Sequence, residues 1–232
     1  MSDRFPAVKA LTFDLFGTVL DLGGSLTPFI AELLQAKGSD ADPQEFWAQW
    51  RARQRIEQYQ DNILLLGHSG YLETARRGLD YTLKLNKVEA THQETLDFME
   101  AWRELQPFPE VVAGLERLKS RYKLVALSNG NRWFLDHLAQ NQIKWEFDAI
   151  FSVGEVGAFK PHPGVYRRAA KSIDLEMNEC MMVSANAFDV MGARACGYRA
   201  AYVDRYDLPY DDTPYLPDVT VTNFTELADA LL

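Results

Sequence analysis

Cysteine is scarce in this chain: Cys180 and Cys196 are the only two in 232 residues. Their spacing matches no metal-ligand pattern and too few are present for a disulfide framework, so they fit a reducing cytosol. Histidine is also sparse, and His68, His92, His137 and His162 are scattered, which argues against a histidine-rich metal site. Positive charge is in deficit, with 24 Lys and Arg against 33 Asp and Glu and a net charge of −9. Nucleic-acid binders usually carry a basic footprint, so no nucleic-acid partner is expected. No apolar run reaches the length of a membrane span, and the opening "MSDRFPAVKA" lacks the apolar middle of a signal peptide. No internal repeat or low-complexity linker appears. The expectation is a cytoplasmic protein with no membrane partner.

What is present is a large apolar fraction, 47% of residues, enough for a sizeable core. The length suits one α/β domain, or a core domain with a smaller insert. Apolar runs at 8–14 ("VKALTFD"), 123–128 ("KLVALS"), 147–153 ("FDAIFSV") and 180–184 ("CMMVS") read as buried strands. The shorter "AAYV" (200–203) and "VTV" (219–221) read likewise. Helical patterns lie between them at 109–120, 131–140, 163–173, 187–196 and 224–232. The last follows Asn223 with Glu226 three residues on, an N-cap and capping-box pattern. Strands alternating with helices imply a parallel sheet covered on both faces.

One region breaks the alternation. Residues 24–104 show helical periodicity and no strand, with helices read at 42–59, 70–85 and 91–105. "QPFPE" (106–110) then returns the chain to the sheet, its prolines discouraging helix. The expected organisation is a core domain of residues 1–23 and 105–232 and a helical cap domain of 24–104. Ligands of open α/β sheets bind at the carboxyl ends of strands, so an insert leaving from that end is expected to act as a lid.

Polar groups follow the apolar strands: Asp14 with Thr18; Ser128 with Asn129; Lys160; and Ser184, Asn186 and Asp189. Singly, each has an ordinary reading. Asp14 is a turn acid, Ser128-Asn129-Gly130 a turn and cap, Lys160 a solvated charge, and Asn186 a helix N-cap. Together, in this order, they favour a site.

The arrangement resembles the haloacid dehalogenase superfamily, through "DLFGT" (14–18), "LSNG" (127–130), "FKP" (159–161) and "SANAFD" (184–189). The resemblance spans residues 8 to 232. It implies a Rossmann-like α/β parallel-sheet core with the helical cap inserted after the first strand. Most members are magnesium-dependent phosphatases whose first motif carries a second acid, where this chain has Phe16. Ser184 likewise stands where the phosphatase fourth motif has an acid. Both departures remove carboxylates that a hard cation needs. They resemble instead the L-2-haloacid dehalogenase (type II) family, as do Tyr166 after the lysine and Trp50-Arg51 in "FWAQWRARQ" (46–54). Arg53 and Arg55 compete with Arg51 for the family's cap arginine. At helical spacing Arg51 shares a face with Trp47 and Gln54, whereas Arg53 points roughly opposite.

This resemblance implies the hydrolysis of short (S)-2-haloacids, with a 2-haloacid and a halide ion as small-molecule partners and no metal or cofactor. It makes Asp14 the nucleophile, oriented by Thr18 and kept ionised by Lys160. Ser128 and the N–H groups of Leu15 and Phe16 hold the substrate carboxylate; Arg51, Asn129 and the Phe188 ring edge cradle the halide. Asp189 acts on the hydrolytic water, Asn186 positions that water, Ser184 holds Lys160 and Asp189 in place, and Tyr166 supports the cluster. A ring at Phe16 is either a wall of the pocket or core filler, and Trp47 and Trp50 either line the cap side or pack its core. A departing halide needs no proton, which accounts for the missing acid at position 16. The family commonly forms homodimers. The rival readings are a magnesium-dependent phosphatase and a non-catalytic binding module.

Overall fold

The computed structural model describes residues 5–64 and 68–232. Residues 1–4 and 65–67, which fall within the expected core and cap ranges, lie outside the described residues. In chain order the elements are β1 (Ala10–Phe13), β2 (Leu20–Asp21), α1 (Leu22–Ala36), α2 (Pro43–Leu64), α3 (Tyr71–Leu85) and α4 (His92–Met99). Then come β3 (Gln106–Pro107), α5 (Val111–Leu118), β4 (Lys123–Ser128), α6 (Arg132–His137), β5 (Ala149–Ser152) and α7 (Pro163–Ser172). The chain ends with β6 (Cys180–Ser184), α8 (Ala187–Ala195), β7 (Arg199–Val203), β8 (Val219–Val221) and α9 (Phe224–Leu231). Two compact units form, one of residues 1–20 and 107–232, the other of 21–106.

The first unit is built on a six-stranded sheet in the order β5-β4-β1-β6-β7-β8. Every neighbouring pair is parallel. Helices cover the sheet, so strands such as β1 and β6 are apolar and buried along their whole length. Phe13 shows how the core closes: its ring lies 5.7 Å from that of Phe224 and 6.4 Å from that of Phe147. Truncating such a residue to Ala typically costs about 3–5 kcal/mol. Phe13 pairs in register with Ala126 of β4 and Val183 of β6. Asp14, Ser128 and Ser184 therefore follow at nearly one level along the carboxyl edge of the sheet.

The second unit is helical. Its centre is Trp50, fully buried, whose indole N–H donates to Ala75 O at 2.7 Å. The ring packs against Trp47, Phe98 and Trp102 at 5.6–5.7 Å. Trp50 is thus core filler of this unit. The sequence pattern does not single out α1, because Gly23, Gly24 and Pro28 all disfavour a helix. Two features outweigh them: the Asp21 carboxylate caps the N-terminus at Gly24 N, and Leu22, Leu26, Ile30 and Leu34 form a buried stripe. The cap of α9 also differs in detail from the pattern. Asn223 accepts from Glu226 N as expected, but the Glu226 carboxylate accepts from Thr222 N, one residue earlier. Among the described residues no helix is long and apolar enough to cross a membrane.

Candidate active site

Asp14 follows β1 directly, and its loop is folded by one carbonyl. Leu15 O accepts from the N–H groups of Thr18, Val19 and Leu20. The reversal passes through Gly17 at φ +88°, a conformation that disfavours any residue with a Cβ. Phe16 is buried beside it and stacks on Phe134 at 5.9 Å. The neighbouring loop after β4 comes in closely: a Cβ on Gly130 would meet Leu135 Cδ2 at 2.5 Å and Phe16 Cε2 at 3.1 Å. Gly130 thus lets the Ser128-Asn129 loop approach the Asp14 loop.

The Asp14 carboxylate is held at both oxygens. Oδ1 accepts from Lys160 Nζ at 3.0 Å. Oδ2 accepts from Thr18 Oγ1 at 2.8 Å and from Asn186 Nδ2 at 2.8 Å. Asn186 occupies the N-cap position of α8, yet its side chain makes no capping hydrogen bond. The amide is spent on Asp14 instead, so Asn186 holds the N-cap position while its side chain serves the site.

Lys160 has three donor hydrogens and three acceptors: Asp14 Oδ1, Asp189 Oδ2 at 2.6 Å and Leu127 O at 2.8 Å. With its side chain 1% exposed, the solvated-charge reading fails too. Burial alone pulls the ammonium down, but the Asp14 and Asp189 carboxylates outweigh it and raise it above the usual lysine value. Asp189 is fully buried in the first turn of α8. Burial, reinforced by the Asp14 charge, leaves its carboxyl above the usual range despite Lys160. Tyr166 OH donates to Asp189 Oδ1 at 2.7 Å, and burial and the Asp189 charge push the phenol well up, keeping it a donor.

Ser184 differs from the expected arrangement. Its hydroxyl accepts from Asn186 N at 3.1 Å, while the Lys160 donors are all engaged elsewhere. It therefore orients Asn186 rather than Lys160. Asn129 Oδ1 accepts from Lys160 N at 2.9 Å, tying the loop after β4 to the lysine segment. Ser128 Oγ is buried with no hydrogen-bond partner among the described residues. An unpaired buried hydroxyl costs about 1–3 kcal/mol, which a ligand acceptor would relieve. Phe188 is half-buried on the first turn of α8. Backbone partners were not legible in the sequence: Leu127 O, and Ala185 N, which donates to Thr18 Oγ1 at 2.8 Å. Among the described residues no group of three acidic, histidine or cysteine side chains is set to hold a metal ion.

Arg51 belongs to the helical unit. Its guanidinium donates to Gln54 Oε1 at 2.9 Å and Tyr71 OH at 3.4 Å, and it makes no ion pair among the described residues. Arg53, by contrast, is paired with Glu57 at 2.5 Å and stacked over Tyr81. Arg55 is half-buried on the same helix.

This site can be set beside known proteins. A family model described as haloacid dehalogenase-like hydrolase matches residues 8–197. The chain belongs to that family. Within the haloacid dehalogenase-like hydrolases, it is 29% identical over 216 residues to haloacetate dehalogenase H-2 of Moraxella sp. (strain B), covering 92% of this chain and 93% of the relative. It is 30% identical to an (S)-2-haloacid dehalogenase of Xanthobacter autotrophicus, over 85% of this chain and 76% of the relative. A solved structure of L-2-haloacid dehalogenase from X. autotrophicus with chloropropionic acid covalently bound superposes with a TM-score of 0.82 at 25% identity, covering 96% of this chain and 97% of that one. These likenesses place it in the L-2-haloacid dehalogenase branch of the haloacid dehalogenase-like hydrolases.

Proposed function

We infer that this protein is an (S)-2-haloacid dehalogenase, a hydrolase that releases halide from short 2-haloalkanoic acids. The observation that carries this reading is the Asp14 carboxylate, buried, oriented by Lys160, Thr18 and Asn186, and followed two residues later by a phenylalanine instead of an acid. A phosphatase of this fold uses that second acid to protonate an alkoxide leaving group. A halide leaves as a stable anion and needs none.

In the proposed reaction an Asp14 oxygen attacks the α-carbon of the substrate from the side opposite the halogen. A carbon–oxygen bond forms, the carbon–halogen bond breaks, and the halide departs with its electron pair, inverting the carbon. Ser128 Oγ and the N–H groups of Leu15 and Phe16 hold the substrate carboxylate. Arg51, the Asn129 amide and the Phe188 ring edge stabilise the departing halide. Water then adds to the Asp14 carboxyl carbon, with Asn186, itself held by Ser184, positioning it and Asp189 taking its proton. The donors around Asp14 stabilise the oxyanion, which collapses as Asp189 hands its proton to the departing alkoxide; the 2-hydroxy acid leaves, and loss of the remaining proton to solvent restores the Asp14 carboxylate. No step requires a metal ion, since Lys160 already supplies the positive charge between the two carboxylates. The protein acts as a cytoplasmic enzyme, and a homodimer is the state its family suggests. The helical unit, 21–106 against the expected 24–104, serves as the cap domain, and 1–20 with 107–232 as the core.

The experiment is a halide-release assay with (S)- and (R)-2-chloropropionate, run with and without a chelator. Release from the (S) form alone, with (R)-lactate as product and unaffected by chelation, is the expected result. Loss of activity on chelation, restored by magnesium, would overturn the metal-independent mechanism.

A further inference from the structure

The loop that carries Asp14 is gripped by a pair of side chains that the motifs do not include. Arg205 lies just beyond β7, with its side chain 5% exposed. Its Nε donates to Thr18 O at 2.7 Å, and its Nη2 donates to Glu110 Oε1 at 2.8 Å. The guanidinium carbon stands 3.7 Å from the centre of the Phe108 ring and 5.4 Å from that of Phe224. The next residue, Tyr206, donates its hydroxyl to Gly17 O at 3.0 Å. Two consecutive carbonyls after the nucleophile are thus held by two consecutive side chains from a distant strand end.

This grip falls on the residue that aims Asp14. Thr18 Oγ1 donates to Asp14 Oδ2 and accepts from Ala185 N, both at 2.8 Å. A hydroxyl has one proton, so its two bonds are satisfied together only while the Thr18 backbone stays in place. Glu110 is equipped to hold Arg205 there. Burial pushes its carboxyl up, but backbone hydrogen bonds and the Arg205 guanidinium outweigh this and keep it below the usual range. Glu110 Oε1 also accepts from Phe224 N at 3.4 Å, which fixes the carboxylate from a second side.

We propose that Arg205, assisted by Tyr206, is a positioning residue for the nucleophile. It locks the Gly17-Thr18 backbone so that Thr18 keeps Asp14 aimed. The inference rests on the reading of Asp14 as the nucleophile. Arg205 touches no reacting atom, and a purely structural staple at this place would predict lost stability without a specific loss in the chemical step.

The test compares Arg205→Gln, Arg205→Lys, Tyr206→Phe and Thr18→Val with the full-length wild type on (S)-2-chloropropionate. Arg205→Gln should lower kcat by about tenfold or more, as expected for a slightly misaimed reactant, while KM changes by no more than about twofold. Arg205→Lys should restore part of the loss, since an ammonium can reach one acceptor but lacks the planar fork. In a Thr18→Val background, Arg205→Gln should add little, because both act through one hydroxyl. Additive losses, or a raised KM with unchanged kcat, would overturn the proposal. A readout independent of turnover is the exchange rate of the Thr18 hydroxyl proton by NMR, with the buried Thr12 hydroxyl, which donates to Met181 O, as internal control. Exchange at Thr18 should quicken in the Arg205 and Tyr206 variants and stay unchanged at Thr12; unchanged Thr18 exchange would sink the idea. If the wild type released no halide, the proposed activity would fail while the hydroxyl exchange still decided the positioning role. Should Arg205→Gln not fold, Arg205→Lys and Tyr206→Phe carry the same readouts.

Discussion

Lys160 Nζ lies 3.0 Å from Asp14 Oδ1, with side-chain exposures of 1% and 6%. The same ammonium reaches Asp189 Oδ2 at 2.6 Å, so one buried cation serves two buried carboxylates. Removing one member of such a group leaves the others uncompensated in a medium that solvates charge poorly. Lys160→Met is therefore expected to abolish turnover and to cost about 3–5 kcal/mol of stability, read as a lower urea midpoint. Adding Asp189→Asn should return part of that stability and none of the activity. A single Lys160→Met variant as stable as wild type would show that the cluster is not charged as described.

The covalent step can be followed by isotope. Asp14→Asn should eliminate turnover, because an amide is a far weaker nucleophile than a carboxylate. With excess wild-type enzyme in ¹⁸O-labelled water, the label should appear in the Asp14 carboxylate after one turnover and in product only on later ones. Label in the first product and none in the enzyme would replace the ester by direct attack of water.

The pH profile has a predictable shape. The proposed mechanism needs Asp189 ionised and Lys160 protonated. The Asp189 carboxyl is raised above the ordinary 3.8 and the Lys160 ammonium above the ordinary 10.5. Activity should therefore climb as pH rises through the raised Asp189 value, and Lys160 should impose no decline until the pH passes above its own ordinary value. Asp189→Asn should remove the acid limb along with most of the rate. An alkaline fall near neutrality that disappears in Lys160→Arg would contradict the assignment of charges.

Arg51 and Arg53 separate by their partners. Arg53 is already paired with Glu57, whereas Arg51 is held by the neutral Gln54 and Tyr71. A cation whose charge is not neutralised is the one suited to a leaving anion. Arg51→Ala is expected to lower kcat by about 10²-fold or more, a loss typical of removing one charge-stabilising donor. Arg51→Lys should recover a part, and Arg53→Ala should stay near wild type. Equal losses at both positions in steady-state assays would mean that the halide cation is misassigned.

By itself the sequence determined the six strands of the main sheet, and that polar residues follow β1, β4 and β6. Those signals are local: unbroken apolar runs such as "CMMVS" belong to a doubly covered parallel sheet, and turn chemistry follows at their ends. It also carried the motif spacings, and with them the family. Tertiary structure decided which atoms those residues spend on one another. Asn186 could have capped its helix, but the parallel register of β1 and β6 brings it to Asp14 across 172 residues of sequence. Ser184 turns to Asn186 and not to Lys160, because Leu127 O, Asp14 and Asp189 have taken all three ammonium hydrogens. Arg205 carried no sequence signal, since its acceptors are a backbone carbonyl and a glutamate 95 residues away. Hydrogen-bond capacity is a property of each residue and is written in the sequence. How that capacity is shared is set by the competition among neighbours that only the folded chain assembles.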